Sequence, residues 1–568
     1  MIRLVLNKRS ISRDFGLAQR KLARDAAYSP AETESSVDYV ASDETGQFHY
    51  FGYTSNLQVV ARFPPPPSPC SELPVPRDSS LETLADSESI KSQLLDLYFT
   101  YQNPATLIIE HETFMKHYQQ GRRSSYYSTF LLNCILLRGI RLSDDPRVKS
   151  LDNIYLQRAK VELLGELENP NIATIQALCL FGHYQGSWGN DRACWLYPGI
   201  AYRLLFDLGL HQDCQDLIRA GFLTSSERKA RHATLWGCYV SDKLYCIYQG
   251  RPSAVKLQDI AIPRPSLETV GPQWETLDAW VDLASVLDEI ITTFNKFPHK
   301  KADSNWLTAT SNRLFEWLEH LPTHLQWNAQ AIPGICALHM QFLSVIIVLH
   351  RPFAVYKPRD DQSRSTDHSP STLARRLCTE NAIRISKLLL AFKNNYGTKK
   401  IFSTVCHMVL TAALSLISEI STEKGDNKRD EERKWLRVCF SILEELSSTF
   451  TVIGRNLKIL TEIVESCGYE ELAINQAKGA DGKETLQEKE LFGENEIATE
   501  FQTDSDIHRA NDLLSSFGGS LPFSLDLADG MMYLDPVPDG FAMDFSPPVG
   551  VGGYNGMDLF GFPSAENL

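Results

Sequence analysis

Residues 195–211 read WLYPGIAYRLLFDLGLH, and the spacing of their apolar side chains predicts an amphipathic helix over residues 197–211. Pro198 suits the first turn of such a helix, because the N–H that proline lacks has no partner there. Apolar side chains recur at three- and four-residue spacings, at positions 200, 201, 204, 205 and 208. Arg203 and Asp207 lie one turn apart on another face, and Gly209 can end the helix. The stretch therefore predicts a helix with one face in a protein core.

The same helical spacing continues on both sides of this stretch, over residues 86–468. Residues 234–248 carry a broad apolar side, and Gly250 followed by Pro252 stops that helix. A third apolar helix is predicted over residues 338–349. Strand-like alternation is nearly missing, and no repeat of fixed period occurs. The sequence therefore predicts an all-α fold, a multi-helix bundle.

Composition divides the chain into three parts. Residues 1–85 have a basic start and a proline-rich end, and they are predicted to be mostly disordered, with a short strand pair in residues 48–60 as the exception. Residues 86–468 are the predicted helical domain. Residues 469–568 are a polar, acidic tail that is also predicted to be disordered.

Charge, cysteine spacing and the length of apolar stretches exclude several classes of protein. The net charge is −14, and residues 491–568 hold thirteen acidic residues against one basic residue, Arg509. The twelve cysteines include no Cys-x-x-Cys pair, which suits a reducing compartment rather than a disulfide framework or a zinc ribbon. The longest apolar stretch, residues 335–349, is shorter than a bilayer span and includes His339 and Gln341, so no membrane helix is predicted.

The sequence does not contain the common enzyme motifs at the spacing that their chemistry requires. A zinc protease needs His-Glu-x-x-His, but Met115 stands where the second histidine belongs after His111 and Glu112. The sequence contains no phosphate-binding loop and no Gly-x-Ser-x-Gly elbow. Four histidines in or beside apolar helices lack a partner at metal spacing and are predicted to be hydrogen-bonded core residues: His183, His211, His339 and His350. We therefore predict no catalytic residue and no metal ligand, and we do not expect an enzyme.

An ordered series of residues carries a family resemblance. The first half of the series is Trp195, Gly199, Arg203, Asp207 and His211, and the second half is Trp236, Asp242, Gly250, Arg251 and Pro252. The series resembles the fungal-specific transcription factor domain, or middle homology region, of the fungal zinc-cluster transcription factors. The likeness extends over about residues 45–465. Within the series, the carboxylate of Asp242 and the guanidinium of Arg251 are predicted to form a buried pair at the end of their helix.

The resemblance implies a nuclear regulator of RNA polymerase II transcription, with the helical body as its regulatory and dimer-supporting part. Such proteins form homodimers or heterodimers with related factors, and some respond to a small-molecule effector. They bind zinc through an N-terminal cluster of six cysteines that presents a helix to DNA. Only Cys70 precedes Cys134 here, so we predict no zinc cluster and no cofactor for the sequence as given. We expect specific DNA binding only if such a cluster lies upstream.

The acidic tail interleaves carboxylates with bulky apolar residues. This pattern keeps apolar side chains exposed and predicts an activation region that contacts coactivators. The apolar candidates are Phe541, Phe545, Leu559, Phe560 and Phe562. An ordinary solvated acidic tail is the alternative for this segment. For the whole chain, the alternative is a DNA-independent interaction protein that dimerises with zinc-cluster factors and modulates them.

Overall fold

The computed structural model of the protein describes residues 40–42, 48–50, 54–55, 79–268, 271–296, 304–328, 330–354, 370–401, 404–422, 429–447 and 449–469. Helices dominate this part of the chain, so the predicted all-α fold is confirmed. The helices are α1 (Ser79–Ala85), α2 (Glu88–Tyr101), α3 (His111–Gln120), α4 (Thr129–Ile140), α5 (Pro146–Lys149), α6 (Asp152–Glu168), α7 (Ile172–Ser187), α8 (Asp191–Asp207), α9 (Gln215–Arg219), α10 (Ser225–Gln249), α11 (Pro265–Glu268), α12 (Pro272–Lys296), α13 (Ser304–Glu319), α14 (Pro333–His350), α15 (Pro370–Tyr396), α16 (Val405–Ile420), α17 (Asp430–Ser447) and α18 (Thr451–Ser466). Short 3₁₀ helices cover Asn103–Ala105, Leu257–Asp259, Thr323–Leu325 and Thr398–Lys400.

A two-stranded antiparallel ladder precedes the helices. Strand β1 (Val40–Ser42) pairs with β2 (Phe48–Tyr50). The sequence predicts both strands within residues 48–60, and this is wrong for the first strand, which lies upstream. The pattern that predicts a strand does not reveal which segment the strand pairs with, and residues 48–50 pair with residues upstream of them. The predicted activation residues of the tail lie outside the described residues.

Helix α1 lies before residue 86, where the sequence predicts the helical domain to begin. Its end is tied to α6, because the Tyr155 hydroxyl donates a hydrogen bond to the Ala85 carbonyl at 2.7 Å. The Arg158 guanidinium also pairs with the Glu82 carboxylate at 2.6 Å. These contacts make α1 part of the helical body.

Helix α8 begins at Asp191, earlier than the sequence predicts. The side chain of Asn190 caps it by accepting a hydrogen bond from the Ala193 N–H at 3.2 Å. Pro198 therefore lies inside the helix and not in its first turn. Ile200 is 36% exposed, so the buried face is also rotated relative to the predicted stripe. The buried face consists of Cys194, Pro198, Ala201, Tyr202 and Leu205.

Two glycines on α7 allow α8 to approach closely. A Cβ atom at Gly182 would lie 2.5 Å from Cδ of Pro198, and one at Gly186 would lie 2.7 Å from Sγ of Cys194. The Pro198 ring thus fills a notch that only glycine leaves open. Proline removes one hydrogen bond from the helix interior, and the close packing of its ring offsets part of that cost.

Helix α10 begins and ends at recognisable sequence signals. At its start the side chains of Thr224 and Glu227 each accept from the backbone N–H of the other, which forms a capping box. At its end Gly250 adopts the left-handed conformation with φ of 67°, so the predicted stop is confirmed. The predicted apolar side is also confirmed, since Trp236 and Tyr239 are at most 1% exposed.

Helix α14 runs through the centre of the body. Within the described part of the chain it is the one helix long and apolar enough to cross a membrane, yet all its residues are buried by the surrounding protein. That burial is what a core helix of a globular protein shows. The helix ends at His350, one residue beyond the predicted end, and Arg351 follows as the C-terminal cap.

The later helices pack onto the earlier ones through one contiguous apolar core. Polar contacts reinforce this packing at the surface of the core. Arg141 donates from Nη1 to the Thr449 carbonyl at 2.6 Å, and Lys399 pairs with Asp144 at 2.7 Å. Helices from both halves of the chain therefore belong to one body.

The contact between Gly182 and Pro198 predicts opposite outcomes for two glycine substitutions. Gly182→Ala places a methyl group against a rigid ring and should lower the free energy of unfolding by about 1–3 kcal/mol. Gly199 also lies inside α8, but a Cβ atom there would meet none of the described residues within 4 Å. Gly199→Ala should therefore raise stability by about 0.5–1 kcal/mol, because alanine favours a helix. Denaturant unfolding followed by circular dichroism measures both free energies. Equal effects of the two changes would show that the contact between Gly182 and Pro198 does not exclude a side chain at position 182.

Candidate functional site

Two adjacent charges lie in the apolar interior of α10. Asp242 is 1% exposed and Lys243 is 0% exposed. Lys243 Nζ lies 2.8 Å from Oδ2 of Asp242 and 4.4 Å from the centre of the Tyr239 ring, and it also donates to the Val255 carbonyl. Buried charges are costly unless paired and hydrogen-bonded, and both conditions are met here.

The Asp242 carboxylate also holds the loop that follows α10. Its Oδ2 accepts hydrogen bonds from the backbone N–H groups of Ala254 and Val255, each at 2.9 Å. Further along the loop, Lys256 pairs with Asp288 on α12 at 2.9 Å. We call Asp242, Lys243, Lys256 and Asp288 the interlock, because together they fasten α10 to its loop and to α12.

The predicted pairing of Asp242 with Arg251 is wrong. The partner of Asp242 is Lys243, the next residue on α10. The Arg251 guanidinium lies 5.1 Å from the centre of the Trp195 ring and donates to Oε1 of Gln249 at 2.8 Å. Because Gly250 turns the chain in the left-handed conformation, Arg251 meets α8 and not the Asp242 carboxylate.

Asp191, at the start of α8, joins three helices. Its carboxylate accepts a hydrogen bond from the Tyr248 hydroxyl of α10 at 3.2 Å, and it pairs with Arg455 of α18 at 3.0 Å. Its backbone carbonyl accepts from Nε2 of Gln249 at 3.1 Å. The position suits a carboxylate, since the N-terminus of a helix favours negative charge.

Other members of the predicted series brace the ends of helices. The Trp236 indole N–H donates to the Pro263 carbonyl at 3.1 Å. The backbone carbonyl of His211 accepts from Ala261 N–H at 2.9 Å. Arg231, which is not in the series, donates to the Leu208 carbonyl at 3.0 Å at the C-terminal end of α8. These contacts fix the segment after α10 to the end of α8. The carbonyl of Pro252 likewise accepts a weak bond from the Cys246 thiol at 3.5 Å.

Three predicted residues lie apart from these contacts. Arg203 and Asp207 are exposed, and a Cβ atom at Gly199 would meet no described residue within 4 Å. They occupy the outer side of α8, together with the exposed side chain of Leu196. The structure thus divides the series into an inner bracing set and an outer face.

Three of the four lone histidines have hydrogen-bonding partners in the core. His183 Nε2 lies 2.9 Å from the Ser241 hydroxyl, His339 Nε2 lies 2.9 Å from the Leu325 carbonyl, and His350 Nδ1 lies 2.8 Å from the Ile346 carbonyl. Burial lowers the pKa of all three, in His350 to about 4. The prediction of hydrogen-bonded core residues is confirmed for these three. His211 differs, since it contacts the Phe206 ring and is only partly buried.

This arrangement is built for rigidity. Within the described residues, no group of three or more His, Cys, Asp or Glu side chains is arranged to hold a metal ion. Burial raises the pKa of Cys246 well above its usual range, so the thiol beside Asp242 stays protonated and is a poor nucleophile.

Sequence reasoning missed Lys243, Asp288, Asp191 and Arg455. The one available signal was a lysine inside the apolar run of residues 235–248, because lysine is almost never buried without a partner.

Removing one charge of the buried Asp242–Lys243 pair should destabilise the protein far more than removing both charges. Asp242→Asn leaves Lys243 buried without a counter-ion and should lower the free energy of unfolding by about 3–5 kcal/mol. The double variant Asp242→Asn with Lys243→Met should recover part of that loss. Asp216→Asn is the matched control, because the Asp216–Arg219 pair is exposed and should contribute almost nothing. Denaturant unfolding distinguishes these cases, and a single variant as stable as the control would show that the pair is not structural.

Comparison with known proteins shows which proteins this chain is similar to. A family model for the fungal specific transcription factor domain matches residues 95–279. The nitrogen assimilation transcription factor nirA of Emericella nidulans is 28% identical over 463 residues, which are 73% of this chain and 49% of the relative. The nitrogen assimilation transcription factor nit-4 of Neurospora crassa is 24% identical over 446 residues, 71% of this chain and 39% of the relative. The activatory protein CHA4 of Saccharomyces cerevisiae is 23% identical over 395 residues, 62% of this chain and 58% of the relative.

The chain spans less than two thirds of the length of these relatives. All ten residues of the predicted series, from Trp195 to Pro252, lie inside the matched range. Residues 95–279 therefore match the fungal specific transcription factor domain, and over most of its length the chain is similar to proteins named as fungal transcription factors.

Proposed function

We propose that this chain regulates transcription by RNA polymerase II in the nucleus. The match of residues 95–279 to the fungal specific transcription factor domain is the observation that carries the proposal. The relatives support it, because their names describe transcription factors and an activatory protein. The acidic, apolar tail of the chain adds support of another kind.

The proposal assigns different tasks to different parts of the chain. The helical body is the regulatory part, and it dimerises with a second copy or with a related factor. The tail recruits coactivators through apolar side chains that its carboxylates keep exposed to water. Specific contact with DNA, in this proposal, requires a zinc cluster of six cysteines of the kind that the family resemblance implies.

Activation by the tail is open to direct measurement. Residues 510–568, fused to an unrelated DNA-binding domain, should activate a reporter gene. Alanine at five apolar positions should remove most of this activity without changing the charge: Phe541, Phe545, Leu559, Phe560 and Phe562. The matched control replaces five serines of the same segment with alanine and should keep the activity: Ser515, Ser516, Ser520, Ser524 and Ser546.

Two outcomes would count against this assignment. If the tail does not activate the reporter gene, it is an ordinary solvated acidic segment. If the alanine variant still activates the reporter gene, activation does not depend on the apolar side chains. A silent tail in a chain that still associates with zinc-cluster factors would favour the alternative, an interaction protein that modulates such factors without contacting DNA.

A further inference from the structure

Helix α8 presents one continuous stripe of side chains to solvent. Its exposed residues recur at spacings of three and four positions and therefore lie on one side of the helix: Arg192, Leu196, Ile200, Arg203 and Asp207. We call these residues the outer stripe. The two apolar members lie one turn apart in its middle, and Leu196 is 55% exposed. An apolar centre between charged ends is typical of a surface that binds another protein.

Gly199 opens a notch beside the apolar centre of the outer stripe. It lies in the middle of α8, where glycine costs helix stability relative to alanine. On α7, Gly182 and Gly186 each leave space for a side chain of α8. At Gly199, by contrast, a Cβ atom would meet no described residue within 4 Å. This glycine therefore leaves space on the outer side of α8, where a second molecule can approach the helix closely.

The charges at the two ends of the outer stripe oppose the helix dipole. Arg192 lies in the first turn of α8, and Asp207 is the last residue of the helix. The N-terminus of a helix favours negative charge and the C-terminus favours positive charge, so the stability of α8 itself does not explain either placement. Residues 15 positions apart are separated by about 22 Å along a helix, which is too far for an ion pair within one molecule.

A second copy of α8 supplies the opposite charge at both ends. When two identical helices pack antiparallel about a two-fold axis, residues equally far from the axis in opposite directions face each other. With the axis between positions 199 and 200, Arg192 of one copy faces Asp207 of the other. The same pair recurs at the other end, so this register forms two ion pairs.

The apolar centre matches in the same register. Leu196 faces the aliphatic stem of Arg203 of the second copy, whose guanidinium can still reach water. Ile200 faces the notch that Gly199 leaves open in the second copy. One register therefore joins opposite charges, apolar surfaces, and a notch with a side chain that fills it.

The outer side of α6 also exposes apolar side chains, but it is not complementary to itself. Val161 is 82% exposed and Leu164 is 72% exposed, and Gly165 lies beside them. The exposed polar side chains of α6 are Gln157 and Glu168, and neither is positively charged. Two copies of this face would form no ion pair between exposed side chains, which favours α8 over α6 as the surface that pairs with itself.

We propose that two copies of this chain associate through α8, packed antiparallel about a two-fold axis. Arg192 and Asp207 form an ion pair at each end of the contact, and Ile200 of each copy enters the notch of the other. The inference rests on the proposed function and deepens it, because it names the surface through which the helical body dimerises.

Sedimentation velocity of the purified full chain over a range of concentrations measures this association. One helix face buries less than the roughly 800 Å² per partner of a standard interface, so we expect a weak dimer. Dissociation constants of about 1–100 µM are the range to cover.

Exchanging the two charges tests the register. Asp207→Arg brings two guanidinium groups together and should weaken association at least about tenfold. Adding Arg192→Asp restores opposite charges and should return the dissociation constant to within about threefold of its original value. Because the two positions are too far apart to pair within one molecule, this recovery requires contact between two copies. Both changes agree with the helix dipole, so the variants should fold.

Filling the notch tests the close approach of the two helices. Gly199→Gln should weaken association at least about tenfold and raise the melting temperature, because glutamine favours a helix more than glycine does. Gly165→Gln on α6 is the matched control, since a Cβ atom there also meets no described residue within 4 Å. The control should raise the melting temperature and leave association unchanged. A weaker dimer in a more stable protein distinguishes a lost interface from a folding defect.

Three outcomes would overturn the proposal. A chain that stays monomeric at every concentration would refute both this interface and pairing of the body with a second copy. A dimer that survives Asp207→Arg, or that the charge exchange does not restore, would refute the interface alone and leave dimerisation standing. Dissociation by Gly165→Gln would place the contact on α6. Reporter activation by the tail is measured separately, so the proposed role in transcription is tested independently of all three.

Discussion

A carboxylate inside an apolar helix is the constraint on which much of this structure depends. Asp242 is surrounded by core side chains of α10, and a charge there must be compensated within hydrogen-bond distance. Lys243 supplies the counter-charge, and the N–H groups of Ala254 and Val255 supply the remaining partners. The loop after α10 has to pass this point to satisfy Asp242, and that path brings Lys256 to Asp288 on α12.

A second set of contacts extends the same rigidity to the later helices. Asp191 connects α8 to α10 through Tyr248 and to α18 through Arg455, which lies well beyond the family-matched residues. The Gly182 notch fixes α8 against α7 in turn. The family-matched residues thus form one side of a larger packed body, and a small cavity lined by Gln341 and Asn456 lies where its two sides meet.

The sequence correctly predicted the features that neighbouring residues determine. Its predictions were wrong where residues distant in the sequence determine the structure. The fold class, the apolar side of α10 and the stop at Gly250 follow from spacing and from glycine at the helix end, and all were confirmed. The start of α8 was wrong because Pro198 is acceptable in a helix interior only when Gly182, on another helix, leaves space for its ring. The partner of Asp242 was wrong because spacing along a helix does not reveal where the chain goes after a left-handed residue. The cavity could not be predicted, because its wall comes from six helices that are distant in sequence.

The central claim is that the buried charges of the interlock hold an irregular loop as firmly as a core helix. Native-state hydrogen exchange at the amides of Ala254 and Val255 tests it most directly, because both N–H groups donate to Asp242 at 2.9 Å although they lie outside any helix. The account predicts that these two amides exchange only through global unfolding, as slowly as the amides in the middle of α7 and α14. Exchange as fast as that of an exposed loop, while α10 itself remains protected, would contradict it.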